Sequence, residues 1–245
     1  MVAVIRSLAT DTTDKARPLG EGRLFAMASG KFITFEGGEG SGKSTQARLL
    51  ADRLKVRGID ALLTREPGGS PFAERVRALL LDPTIPAHGA LSEALLFYAA
   101  RADHLDKTIR PALAAGRWII CDRFSDSTRV YQGAAGGLRA ATLDALERLV
   151  VAPTRPHLTF ILDLPPMQGL ARARARGTLA GGVGAPTDPF EGRDPSFHEH
   201  LRKGYAALAK AEPRRCALVD AMKPTDVVAA EIWALVEQRL LSDAR

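Results

Sequence analysis

The sequence predicts an α/β fold in which a five-stranded, mainly parallel sheet is flanked by helices. Two observations carry this. Short apolar runs of strand length alternate with longer stretches of helical periodicity between residues 32 and 241, the pattern of successive βαβ units. The polar motifs fall just after the strand-like runs, where sheets of this kind gather their ligands.

The elements follow in order. Phe32-Ile33-Thr34-Phe35 is a first strand that runs into glycines. Residues 44–57 carry Ala47, Leu50 and Leu54 on one helical face, and Gly58 closes that helix. Ala61-Leu62-Leu63-Thr64 is a second strand, followed by a helix over 72–81 that stops before Pro83. A longer helix over 91–109 is expected to end at Pro111, because proline has no N–H to continue the ladder. Trp118-Ile119-Ile120-Cys121 is a buried strand, and residues 138–150 are helical, with Leu146 and Val150 one turn apart. Residues 158–162 form a strand that leads into an arginine-rich helix. Ala217-Leu218-Val219 is the last strand, and residues 225–241 form a final amphipathic helix with Thr225 as its cap.

Two stretches break the rhythm. Residues 1–30 have mixed charge and no sustained periodicity. They read as a disordered N-terminal extension, or as sequence upstream of a true start at Met27, before a single domain over 31–245. They lack the apolar stretch of a secretory signal. Residues 177–194 hold four glycines in their first eight positions and two prolines later. A long polar loop inside a compact domain is read as a lid, here spanning about residues 171–200.

Composition excludes some classes. Apolar residues make up 46% of the 245 residues, enough for a sizeable core, and no apolar run reaches the length of a membrane span. The net charge of +6 fits nucleic acid or small anionic substrates equally well. No basic stripe interleaved with aromatics favours nucleic acid. Cys121 and Cys216 lie in strand-like runs without metal-ligand spacing, so both are expected as buried, reduced thiols in a cytoplasmic protein.

The strongest motif is Gly37-Gly38-Glu39-Gly40-Ser41-Gly42-Lys43-Ser44. It matches G-x-x-x-x-G-K-[ST] between a strand and a helix, the context that a P-loop requires. Glycines let backbone N–H groups wrap phosphates, and the helix start adds its dipole. Lys43 is expected to reach the β- and γ-phosphates, Ser44 to hold Mg²⁺, and Thr45 to complete the ATP site. The fold is thus a P-loop NTPase three-layer sandwich. No Asn-Lys-x-Asp base motif of GTPases is present.

Other motifs point to a second nucleotide site. Arg65, after a strand and beside Pro67-Gly68-Gly69, can grip a phosphate. Phe97 and Arg101 lie four apart on one helix and share a face. Asp122-Arg123 ends the third strand, where a carboxylate can serve Mg²⁺ beside Ser44 and an arginine can clamp a phosphate.

Taken with Phe35-Glu36-Gly37, Arg65-Glu66-Pro67-Gly68-Gly69, Leu96-Phe97-Tyr98-Ala99-Ala100-Arg101, Tyr131-Gln132-Gly133 and Asp163-Leu164-Pro165, the chain resembles the bacterial thymidylate kinases. The motifs stand in family order and span residue 30 to the C-terminus. The resemblance implies transfer of the γ-phosphoryl group of ATP to dTMP, with dimerisation through helices such as 91–109 and 138–150. It implies that Phe97 stacks on thymine, Arg101 bonds its edge and Arg123 binds the monophosphate. Ser127, Thr128, Tyr131 and Gln132 would line the base and sugar pocket, with Tyr131 crowding a ribose 2′-hydroxyl. Glu39 would face the acceptor's 3′-hydroxyl.

The P-loop carries Gly40 and Ser41 where one branch of the family has a basic residue. The other branch supplies a lid arginine, for which Arg176 comes first, then Arg172 and Arg174. One departure is Asp188-Pro189-Phe190-Glu191, with Pro189 where the family often has arginine; Arg193 is the candidate to compensate. The rival readings are a kinase for another nucleotide or nucleoside and a nucleic-acid-binding ATPase.

Overall fold

The computed structural model describes residues 30–86, 88–181 and 190–242. The extension expected over residues 1–30 lies outside the described residues, apart from Gly30, and so does 182–189 of the lid stretch.

The five strands are β1 (Phe32–Gly37), β2 (Ala61–Arg65), β3 (Trp118–Asp122), β4 (Leu158–Asp163) and β5 (Cys216–Asp220). They lie in the order β2-β3-β1-β4-β5, with every pairing parallel. The register sets Asp122 beside both Phe35 and Arg65. The carboxyl ends of the three neighbouring strands are therefore level, and their loops open onto one edge. The chain runs from β1 to β2 on one side, and after β3 it crosses β1 to reach β4 on the other, which makes the crevice that such sheets use for ligands.

Nine helices are described: α1 (Lys43–Val56), α2 (Pro71–Leu80), α3 (Ala90–His104), α4 (Arg110–Ala114), α5 (Ser125–Thr128), α6 (Ala140–Val150), α7 (Pro166–Gly181), α8 (Pro195–Ala211) and α9 (Thr225–Val236). Side chains alternate across a strand, so β1 serves two environments. Ile33 and Phe35 face α1 and α9 in an apolar core with Leu54, Phe160 and Trp233. Phe32, Thr34 and Glu36 face the opposite side, which α5 and α8 cover. There Phe32 packs with Tyr98 of α3, Ile119 and Phe124. Thr34 and Thr159 share a hydrogen bond of 2.7 Å.

Several boundaries differ from the sequence expectation. The helix over 91–109 does not stop at Pro111. It passes through a π-helical turn at Leu105–Ile109 into α4. The Arg110 N–H reaches back five residues to the Leu105 carbonyl. This wider turn shifts the ladder where proline lacks a donor, so Pro111 sits in a first-turn position. Thr225 is the first helical residue of α9, not its cap; Pro224 holds that position without a side-chain bond. The glycine-rich stretch begins as helix, since α7 runs to Gly181. A second π-helical segment, Arg129–Ala135, follows α5 and carries Tyr131 and Gln132. Helix α8 is absent from the sequence expectations, although Asp194-Pro195 marks its start: Asp194 accepts the Ser196 N–H at 2.8 Å.

Candidate active site

The P-loop wraps the end of β1. Gly37, Gly40 and Gly42 have φ of 136°, 65° and 93°, values that glycine adopts without penalty. Lys43, the first residue of α1, is buried and donates to the carbonyls of Gly37 at 3.2 Å and Gly38 at 2.7 Å. Burial, and then the charge of Arg123, lowers its ammonium to about 8. Gly40 also meets α7 directly. A β-carbon there would stand 2.0 Å from the Gly169 carbonyl oxygen, and one at Gly169 would stand 2.2 Å from that of Glu39. Only glycine at both positions lets the loop and helix touch backbone to backbone.

At the end of β3 the Ser44 hydroxyl donates to the Asp122 carboxylate. Two oxygen-bearing side chains beside a phosphate cradle, one exposed and one half-buried, suit Mg²⁺, which takes one or two protein ligands and keeps its remaining waters and phosphate oxygens. Arg123 follows in the left-handed region at φ 67°. That geometry costs a non-glycine residue about 1–2 kcal/mol. It is held by Arg123 N–H to Phe35 O at 2.9 Å and Phe124 N–H to Glu36 Oε1 at 2.8 Å.

The turn aims the Arg123 guanidinium across the P-loop. Nη1 donates to Gly37 O at 3.1 Å and Ser127 Oγ at 3.2 Å, and Nη2 to Glu39 Oε1 at 2.7 Å. Tyr131 donates to the same Glu39 oxygen at 2.6 Å and lies beneath the guanidinium. Burial alone would raise Glu39; Arg123, Lys43 and the Tyr131 hydroxyl outweigh it and hold the carboxyl at about 2.

Beyond Arg123 a cavity opens, lined in part by Glu39, Pro67, Phe97, Ser127, Thr128 and Tyr131. It also contains Gln132, Arg77 and Phe190. Arg101 stands at its back, 2% exposed, and donates to Glu66 at 2.7 Å and Thr128 at 3.1 Å. Its Nη1 and the Gln132 Oε1 are buried without partners among the described residues. The first is a donor and the second an acceptor.

The sequence-derived residues thus gather in three places. Glu39, Phe97, Arg101, Arg123, Ser127, Thr128, Tyr131 and Gln132 surround or back the cavity. Arg65 stands at the mouth of the P-loop cleft with Asp122 and Arg123, half exposed and paired with Glu74 at 3.0 Å. On the other side of the P-loop, Thr45, Arg172 and Lys223 line an open cleft, and Arg172 donates to Ala221 O at 3.2 Å. The side chain of Arg176 lies outside the described residues. Arg193 does not reach over the P-loop to compensate for Pro189. It pairs with Glu93 of α3, beside Phe190 on the cavity side, because the chain after the lid returns along α3 and the 129–135 turn.

Six further residues at or beside the site, Glu36, Glu66, Arg77, Glu93, Phe190 and Tyr205, have no role of their own in the sequence reading. Glu36 had a signal, a carboxylate inside an apolar strand. It is fully buried and accepts from Phe124 N–H, from Ser127 Oγ at 2.6 Å and from Tyr205 OH at 3.2 Å. Burial, and then Asp126, raises it to about 7. Glu66, whose peptide bond to Pro67 is cis, anchors Arg101 and His104.

Both cysteines are buried and unpaired. Among the described residues, no helix is long and apolar enough to cross a membrane.

Comparison with known proteins agrees with this geometry. Residues 35–232 match the family model described as thymidylate kinase. A thymidylate kinase of Nitrobacter winogradskyi is 52% identical over 213 residues, covering 87% of this chain and 90% of that protein. One of Caulobacter vibrioides is 52% identical over 214 residues, covering 87% and 99%. The crystal structure of a thymidylate kinase from Ehrlichia chaffeensis superposes with a TM-score of 0.66 at 35% identity, covering 85% of this chain and 99% of that one.

Proposed function

The chain belongs to the thymidylate kinase family, and we infer that it transfers the γ-phosphoryl group of ATP to dTMP, giving dTDP and ADP. The observation that carries the acceptor's identity is a buried pair without partners among the described residues, one atom at the back of the cavity and one in its wall. Arg101 Nη1 offers a donor and Gln132 Oε1 an acceptor, the complement of thymine's 4-carbonyl and its N3–H. Phe97 supplies a ring face for the base, and Tyr131 bounds the sugar side next to Glu39.

The reaction is in-line attack by a dTMP phosphate oxygen on the γ-phosphorus. The acceptor is already anionic near neutral pH, so catalysis rests on alignment and charge. Lys43 and the P-loop N–H groups hold the β- and γ-phosphates. Arg123 exchanges its carbonyl and hydroxyl contacts for the acceptor phosphate, and Arg65 leaves Glu74 to join it. Arg172 lies over the donor cleft, and Arg176, farther along α7, is our first choice for the charge that the P-loop lacks. Ser44 and Asp122 would hold Mg²⁺, which would supply charge neutralisation when bound.

A homodimer is supported by Leu91 and Leu95 of α3 and Leu149 of α6, which are exposed on helices that pack side by side. Buried free thiols fit the cytoplasm.

Steady-state phosphorylation of dTMP, dUMP, dCMP and AMP tests the reading; a better acceptor than dTMP sinks it. In the same assay Arg176→Ala is expected to lose about a thousand-fold in turnover with little change in the KM for dTMP. Full activity in that variant moves the role to another arginine.

A further inference from the structure

A buried glutamine can present either end of its amide, so what it reads depends on what holds the opposite end. Gln132 is 1% exposed in the cavity wall. Its Nε2 donates to Glu93 Oε2 at 2.9 Å, and its Oε1 has no partner among the described residues. Glu93 lies in the first turn of α3, 7% exposed, and its other oxygen receives Nη2 of Arg193. An ion-paired carboxylate has only acceptors to offer. The Gln132 amide can therefore bond it only through the NH₂, since the reverse orientation sets oxygen against oxygen.

Arg193 is itself fixed. Its guanidinium carbon lies 4.8 Å from the Phe190 ring centre and 4.7 Å from that of Phe197. A planar cation against two rings has few orientations open to it. Phe190 in turn lines the cavity, with ring centres 6.0 Å from Phe97 and 5.9 Å from Tyr131. A chain of contacts thus runs from the segment before α8 to Oε1 of Gln132.

We propose that Arg193 and Glu93 are specificity-determining positioning residues, which lock the Gln132 amide with its carbonyl toward the acceptor base. A ring with N–H at that point is accepted, and a ring with a lone pair there is refused. Thymine and uracil carry the hydrogen at N3, and cytosine carries the lone pair. The proposal rests on the acceptor reading given above.

The test is kcat and KM for dTMP and dCMP, with the KM for ATP, in the wild type, Glu93→Gln, Arg193→Met and Arg193→Lys. A glutamine at position 93 can donate or accept, so the Gln132 amide is free to turn over. The ratio of kcat/KM for dTMP to that for dCMP is expected to fall about ten-fold in Glu93→Gln, mainly through KM, with the KM for ATP unchanged. Arg193→Met, which leaves the Glu93 carboxylate free to turn away from Gln132, moves the ratio the same way by a smaller factor. Arg193→Lys, which keeps the charge, retains more of it. Should Glu93→Gln fail to fold, the Arg193 pair carries the same comparison, because that side chain is 30% exposed. Equal losses for both acceptors, with the ratio unmoved, overturn the proposal alone. A wild type that does not prefer dTMP to dCMP overturns the acceptor reading and the proposal with it.

Discussion

The two faces of the sheet are built by different rules. The face under α1 and α9 is apolar throughout, from Ile33 and Phe35 to Leu162 and Val219. At its end sits the P-loop, the proposed donor site, made largely of backbone. The opposite face carries a polar column, Thr34, Thr159 and Glu36, tied to Asp126, Arg215, Ser127 and Tyr205. At its end sits the proposed acceptor cavity, made of side chains. A loop that binds phosphate through N–H groups is shaped by its own torsions and needs only a firm floor. A pocket that reads a base through side chains needs each one held by a partner, and buried partners must themselves be satisfied.

The sharpest way to break this contrast is at Lys43. Lys43→Ala is expected to lower kcat about a thousand-fold while leaving the KM for dTMP almost unchanged, measured by coupled ADP release. A large rise in that KM would show that the two sites are not separable. Arg101→Leu comes next. It leaves Glu66 buried with a lost partner, so unfolding in urea should cost about 3–5 kcal/mol less than in the wild type, and dTMP binding should weaken with it. On the apolar face, Leu54→Ala should lose about 2–5 kcal/mol of stability with both KM values intact. If it shifts them, that face is more than a floor.

The smallest effect is a change of slope. Glu36 has its pKa raised from 4.5 in the unfolded chain to about 7 in the fold. The folded state therefore binds more protons between those values, and stability falls as pH rises through that window. Glu36→Gln should lack this component, so its urea midpoint should gain on the wild type between pH 5 and pH 8. An equal offset at both pH values would count against it. Glu39, three residues on, has the opposite sign. Its carboxyl is held at about 2, and its contribution is lost only as pH falls below 4.5 toward that value.

The same contrast explains what could be read from the sequence. The P-loop is contiguous, and its glycines, Lys43 and Ser44 state its torsions and chemistry in eight letters. The five strands were legible because their apolar runs are nearly unbroken. The cavity draws on the loops after β1, β2 and β3, on α2, α3 and α5, on the turn after α5 and on the segment before α8. Without family order, Phe97 and Arg101 would pass as an ordinary helix face. Glu93 and Phe190 gain meaning only through partners about forty and sixty positions away, Gln132 and Tyr131. The π-helical turns escaped for another reason: nothing local in Leu105–Ile109 distinguishes a wide turn from a normal one, and Pro111 reads as a stop unless the ladder is known to have slipped.

One contact has mechanical weight. Gly40 and Gly169 meet where neither has room for a methyl group, and α7 continues from there past Arg172 to Arg176. Seven residues of helix make an arm of about 10 Å. The glycine pair is its fulcrum. A tilt of about 10° at that point carries the backbone of residue 176 through about 2 Å, comparable to the difference between a made and a broken hydrogen bond. A methyl group added at position 169 would thus act as a wedge, felt least where it is inserted and most at the far end of the arm.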